Sequence, residues 1–291
     1  MRYKSLLCIA AGYLLLFAIE ARTLGQEMTR NVHGVLKVVD NENNFFEAAA
    51  RIQNDITILM CGDVMTGRGI DQILPHPGDP TICESYMKSA QGHVKIAGAG
   101  RNLVEAQIPA IKKVSSKGRV ILFAFGLGTS GIPSDWAASD EKPGVNLLKN
   151  LGAKSLRDIQ DKVRRVKHKG DIVVASIHWG SNWGYEIPRE QTIFAHRLID
   201  EAGVDIIHGH SSHHAKAIEI YKDKLILYGC GDFLNDYEGI GGYEEFRADL
   251  SLMYFATVDS STGKLLELLM TPTQIRRFKS LLLLRISSPN S

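Results

Sequence analysis

The sequence predicts an α/β fold, and three observations carry that prediction. Short apolar, β-branched runs recur at Ile56–Met60 (ITILM), Asp171–Ile177 (DIVVASI) and Val204–Ile207 (VDII). Each has the length and composition of a strand buried on both faces. Segments of helical period lie between the later runs: Ser155–Lys169 places Leu156, Ile159, Val163 and Val166 on one face, and Glu190–Ala202 does the same with Phe194, Leu198, Ile199 and Ala202. Finally, each strand runs into a ligand-type residue beside glycine: Asp63 after Gly62, His178 before Gly180, and His208 and His210 around Gly209. Strands alternating with helices build α/β domains, and such domains gather their sites at one edge of the sheet.

Taken in order, residues 1–25 read as a signal peptide or an N-terminal anchor. Arg2 and Lys4 precede an apolar stretch over 5–19 that is short for a membrane span, followed by small residues at Ala21 and Gly25. Cleaved or not, this segment places the body outside the cytosol, secreted or membrane-anchored. Residues 26–54 are a polar lead-in, with a short strand over Gly34–Val39 and a helical turn over Phe45–Ile52. Residues 55–277 form the main domain. The strand at Ile56–Met60 enters the turn Cys61–Gly69 (CGDVMTGRG), where Asp63 is either a metal carboxylate or the cap of a helix at Ile70–Leu74. Arg68 either binds an anion or pairs with Asp71, and His76 lies in a nearby loop.

Tyr86–Ile96 is helix-compatible, and Gly98–Asn102 (GAGRN) lacks the GxGxxG spacing of a nucleotide loop. Pro109–Val114 and Val120–Phe125 form a hairpin, and Gly126–Glu141 is a long loop. Leu250–Val258 and Leu265–Met270 pair across the turn Asp259–Gly263. Residues 278–291 form a tail that resembles no completed core element.

A formal net charge of +2, with no basic stripe interleaved with aromatics, argues against a nucleic-acid binder. The basic run Lys162–Lys169 has helical spacing and reads as a solvated helix face. Cys8, Cys61, Cys83 and Cys230 show no metal-binding spacing and assign no disulfide; Cys61 and Cys230 read as small buried residues.

Four of the ten histidines fall within His208–His214. Neutral imidazole is the commonest protein ligand for borderline divalent ions. His210 and His213 are the expected ligands, with His208 a substrate-side partner or third ligand and His214 pointing away. His178, at a strand exit, joins them, while His196 inside a helix is structural. Trp179, Trp183 and Tyr185 are expected to form an aromatic, substrate-binding rim. Asp232 is expected beside the substrate, and both it and Asp236 as partners of the histidines.

These segments resemble a known family. GDVMTGRG (62–69), GAGRN (98–102), IHWGSNWGYEIP (177–188), HGHSSHH (208–214) and YGCGDFLNDYEGIGG (228–242) are together similar to the CapA/PgsA-like proteins of poly-γ-glutamate capsule biosynthesis, within the calcineurin-like metallophosphatase fold group. The likeness spans roughly residues 56–277. It implies a four-layer α/β/β/α sandwich with a divalent metal site, Mn, Fe or Zn, held by Asp63, His178, His210 and His213. His208 would assist proton transfer, Arg68 would steer an anion, and the substrate would be a phosphate ester, an amide or an anionic polymer. The sequence departs from the family pattern in one place: the segment carrying an Asn-Asn-His motif is absent, so the chain is shortened near residues 88–95. That departure supports an alternative reading, a non-catalytic binding protein for an acidic polymer with a degenerate metal site.

Overall fold

Two sheets face each other across a shared apolar layer, and two helices cover the far side of one of them. The computed structural model describes residues 7–11, 14–15, 29–32, 36–39, 55–64, 94–95, 97–114, 117–235, 241–276 and 279–283. The elements that build the core and the site are, in chain order, β1 (Asp55–Val64), β2 (Arg119–Leu127), α1 (Ala153–Val166), β3 (Ile172–His178), α2 (Arg189–Asp200), β4 (Ile206–His210), β5 (Lys224–Leu227), β6 (Asp232–Leu234), β7 (Leu250–Asp259) and β8 (Leu265–Arg276).

The first sheet runs Leu7–Ala11, β1, β7, β8, Leu36–Val39, Thr29–Val32, with β6 beside the end of β1. The second runs Leu147–Leu148, β2, β3, β4, β5, Ile218–Tyr221, with Ala110–Lys113 hairpinned onto β2. In the second sheet β2, β3, β4 and β5 are all parallel. Helix α1 connects β2 to β3, and α2 connects β3 to β4, so neighbours in sequence are neighbours in space.

The two-residue period of each strand sorts its side chains between two layers. Ile121, Phe123, Val173, Ala175, Ile177 and Ile207 face the helices and pack on Leu156, Ile159 and Val163 of α1 and on Phe194, Ala195 and Leu198 of α2. Val120, Leu122, Ile172, Val174, Ile206 and Leu225 face the first sheet and meet Ile56, Ile58 and Met60 of β1 and Tyr254, Ala256 and Val258 of β7. Each Val, Leu, Ile, Met or Phe among them contributes about 1.5–3 kcal/mol on leaving water. Leu59, Cys61, Phe255 and Leu269 form a smaller cluster on the outer face of the first sheet. The described residues therefore supply α/β/β, three of the four layers expected; the second helical layer is not among them.

Several boundaries differ from the sequence reading. Strand β4 continues through His210, so His208 and His210 lie within a strand rather than in the loop after it. The tail supplies a strand after all: Lys279–Leu282 pairs antiparallel with Thr273–Arg276. Leu7–Ala11 pairs in parallel with β1, and no helix among the described residues is long and apolar enough to cross a membrane. The GAGRN segment serves as a helix cap: Asn102 accepts a hydrogen bond from the Glu105 amide at 2.9 Å. Arg68, His76, Cys83, Asp236, Phe45–Ile52, Ile70–Leu74 and most of Tyr86–Ile96 lie outside the described residues.

Candidate metal centre

The site forms where the inward face of the second sheet turns from apolar to polar. Along β3 that face reads Ile172, Val174, Ser176, His178; along β4 it reads Ile206, His208, His210. The parallel register sets Ser176 beside His208 and His178 beside His210. Across the mouth, two copies of one tripeptide lie side by side, Cys61-Gly62-Asp63 near the end of β1 and Cys230-Gly231-Asp232 leading into β6, with Asp63 and Asp232 in register. The two segments touch: the Asp63 amide donates to the Gly231 carbonyl at 2.9 Å, and a Cβ on Gly62 would lie 1.8 Å from that oxygen. Only glycine fits there. Cys61 and Cys230 are both buried, as expected.

Three ligand atoms converge at this mouth. His210 Nδ1 lies 3.1 Å from Asp63 Oδ1 and 2.8 Å from His178 Nδ1, and His178 Nδ1 is 3.8 Å from Asp63 Oδ1. One ligand atom from each residue falls within 4.8 Å of the other two. Burial pushes the histidines down, His210 to about 3 and His178 to about 4, the latter with help from neighbouring His210, so both rings are neutral at pH 7. Burial also raises Asp63, against the pull of His178, His208 and the Ser211 amide. That amide belongs to a residue at φ 108°, a strained conformation for serine, immediately after His210. One carboxylate and two neutral imidazoles, crowded and partly desolvated, form a donor set suited to a divalent cation.

His213 lies beside this trio. Its Nδ1 donates to Asp232 Oδ2 at 2.8 Å, and Asn235 Nδ2 donates to the same oxygen at 2.6 Å. Burial pulls the His213 pKa down, but the bond to Asp232 and the charges of Asp232 and Asp63 outweigh it and leave the value raised. His213 thus lines the cavity beside the trio, joined by Ser130, Asn182 and Asn235. His208 corrects an expectation. It is 0% exposed and both ring nitrogens are engaged, Nδ1 with Ser176 Oγ at 3.0 Å and Nε2 with the Cys61 carbonyl at 2.9 Å, so it cannot meet a substrate. Trp179 corrects a second: 2% exposed, it packs in the helix-side core and donates to the Tyr228 carbonyl at 3.1 Å.

Trp183 and Tyr185 do sit in an aromatic cluster near the mouth. Trp183 stacks on Tyr243 at 4.2 Å and approaches His213 at 5.1 Å, while Tyr185 meets His214 edge-on at 4.7 Å and Phe246 at 5.4 Å. His214 lies against these rings, and its Nδ1 donates to the Ala215 carbonyl. His196 is structural, bonded to Glu219 at 2.8 Å and stacked on Tyr221.

Sequence reasoning missed Ser176, Ser211 and Asn235. Ser176 carried a signal: it is the one hydroxyl in an otherwise apolar buried strand, two residues before His178 and hence on its face. The repeated Cys-Gly-Asp tripeptide was a second signal, marking Asp232 as the counterpart of Asp63.

Residues 81–237, over half of the chain, match the family model described as bacterial capsule synthesis protein PGA_cap. The chain belongs to that family. The PGA_cap match takes in His178, His210, His213 and Asp232, while Asp63 precedes it. A Mycobacterium tuberculosis protein named probable polyglutamine synthesis accessory protein is 33% identical over 327 residues, covering 77% of this chain and 86% of the relative. That alignment is longer than the 291 residues of this PGA_cap chain, so the relative carries internal segments with no counterpart here. The PGA biosynthesis protein CapA of Bacillus subtilis is 30% identical over 176 residues, 60% of this chain and 42% of that protein. A solved structure titled as a novel phosphatase, from Mycoplasma pneumoniae, matches at a TM-score of 0.36 with 15% identity over 58% of this chain and 57% of that one, too loosely to bear on the site. The chain is thus a CapA-like member of the PGA_cap capsule-synthesis family, with an α/β fold.

Proposed function

We propose that this PGA_cap chain is a metal-dependent hydrolase or transferase acting on an anionic substrate, a glutamyl polymer or a phosphate ester. One observation carries the reading: Asp63, His178 and His210 bring three acceptor-type atoms within 4.8 Å of one another at the mouth of a cavity. A carboxylate and two neutral imidazoles at that spacing repel one another unless a proton or a cation lies between them. Their open geometry suits Zn, Fe(II) or Mn. An ion held there supplies Lewis acidity to a phosphoryl or acyl oxygen and makes water a better nucleophile near neutral pH.

The protein's own groups divide the remaining work. Asp232 fixes the His213 ring through Nδ1, so His213 exchanges protons with substrate or water at Nε2. The aromatic faces of Trp183 and Tyr185 flank the approach to the cavity. No lysine or arginine is among the described residues lining it; attraction of an anion is assigned in this proposal to the ion and, from the sequence, to Arg68. Export or anchoring through residues 1–25 belongs to the same proposal, and fractionation of the full chain tests it.

The competing reading is a binding protein without catalysis, favoured by the internal segments that the mycobacterial relative has and this chain lacks. Metal content by emission spectroscopy, alongside phosphodiesterase and γ-glutamyl amide hydrolysis assays, separates the two. Hydrolysis that disappears with the metal in His210→Ala supports the enzyme. Activity that survives His210→Ala rejects it, and loss of polymer binding in Trp183→Ala without any turnover in the wild type supports the binder.

A further inference from the structure

A continuous line of polar contacts crosses the apolar layer behind the three converging residues. It starts at the Cys61 carbonyl, passes to His208 Nε2 at 2.9 Å, from His208 Nδ1 to Ser176 Oγ at 3.0 Å, and from Ser176 Oγ to His210 Nε2 at 3.1 Å. Its side chains are sealed from solvent: His208 is 0% exposed, Ser176 2% and His210 4%. Each contact has one workable direction. A carbonyl only accepts, so His208 Nε2 carries a hydrogen. The ring is fully buried and its two nitrogens meet only a carbonyl and a hydroxyl, so it stays neutral and Nδ1 accepts. The single Ser176 proton therefore points to His208, and toward His210 the hydroxyl oxygen accepts. His210 Nε2 carries the hydrogen, and Nδ1 is left as a lone pair facing Asp63 Oδ1 at 3.1 Å and His178 Nδ1 at 2.8 Å.

We propose that Ser176 and His208 are positioning residues for a divalent ion, holding His210 in the Nε2–H tautomer so that Nδ1 is presented as a ligand. The inference rests on the reading that Asp63, His178 and His210 hold such an ion. Without the line, His210 has a competing choice: a hydrogen on Nδ1 would be donated to the Asp63 carboxylate, a charge-assisted bond that fills the place of the ion. The line offsets that choice by giving Nε2–H an acceptor inside the apolar layer. It also fixes geometry, because Cys61 lies two residues before Asp63. The same contacts that choose the tautomer tie the strand bearing the carboxylate to the strands bearing the imidazoles, across the gap between the two sheets.

The test uses the full chain free of metal, with 15N-labelled histidine and long-range 1H–15N spectra that report which ring nitrogen is protonated. The wild type is expected to show His208 and His210 both protonated on Nε2. Calorimetric titration with Mn2+ and with Zn2+ should then show Ser176→Ala binding about 10–100-fold more weakly than the wild type, the usual effect of removing the partner of a ligating histidine. The same variant should move the His210 proton to Nδ1, and Ser176→Thr, which keeps the hydroxyl, should restore both readings. A wild-type His210 protonated on Nδ1, or a folded Ser176→Ala chain that binds the ion as tightly as the wild type, overturns the positioning role and leaves the ion site standing. The wild-type spectrum decides the tautomer even if Ser176→Ala fails to fold. A wild-type chain that takes up neither ion overturns the ion site and, with it, this role.

Discussion

Gly62 and Gly231 show how closely the site depends on single residues. The two Cys-Gly-Asp segments can lie side by side only because Gly62 has no Cβ, since any larger residue there meets the Gly231 carbonyl. Gly62→Ala should therefore cost well over about 1 kcal/mol of stability, because rigid backbone rather than a movable side chain stands in the way; urea unfolding against wild type measures it. Asp249 gives a pH signature away from the site. Its carboxylate takes two bonds from Arg247, at 2.8 and 2.9 Å, and one from Gln274 at 2.7 Å. The Arg247 partnership holds it at about 2, below its ordinary 3.8. A depressed carboxylate stabilises the fold above its unfolded pKa, and that contribution is lost as pH falls through the folded value. Asp249→Asn should thus be less stable than wild type at pH 6, and the gap should close between about pH 4 and pH 2. Residue identities alone pointed to Asp63, His178 and His210, because each stands at or next to the end of a buried strand with a glycine within two residues. They also named His213, whose Nδ1 bond to Asp232 leaves Nε2 as its remaining ring nitrogen in the cavity lining.

At the scale of the element, β3 and β4 each carry two functions on alternate faces. Val173, Ala175 and Ile177 anchor β3 to the helices, while Ser176 and His178 open onto the site. Helix α2 serves the site indirectly by clamping that layer through Phe194, Ala195 and Leu198, all essentially unexposed. Phe194→Ala should destabilise the fold by about 3–5 kcal/mol, the range for emptying a buried aromatic position, with the unfolding midpoint as readout. The strands and helices of this sheet were legible because period and composition agreed along them. Trp179 was misread for the same reason that β4 was cut short. An aromatic next to a turn resembles a rim residue, and a Gly between two histidines resembles a loop, yet the parallel register draws Gly209 into the sheet and the Trp179 amide bonds to the His210 carbonyl just past the end of β3. The strand at Lys279–Leu282 carried no turn or alternation strong enough to announce it, and pairing with β8 is what makes it a strand.

For the molecule as a whole, the proposed ion site lies between two sheets that share one core, so binding there would be coupled to folding. Asp63 comes from the first sheet and His178 and His210 from the second; holding all three at once requires the sheets to be docked. A ligand of the folded state alone stabilises it by RT ln(1 + [L]/Kd), about 2.7 kcal/mol at a hundredfold excess over Kd. The melting temperature should accordingly rise with added Mn2+ or Zn2+. The α/β class and the meeting of distant segments at one sheet edge could be read from the sequence. The pairing of β1 with β7 could not, because it joins residues about two hundred positions apart with no local signal.

The most direct measurement is calorimetric titration of the metal-free full chain with Mn2+ and Zn2+, alongside Asp63→Asn. The expected result is one ion per chain in the wild type and loss of that binding in the variant. No uptake by the wild type, or equal uptake by Asp63→Asn, would contradict the claim that the two sheets meet around a metal.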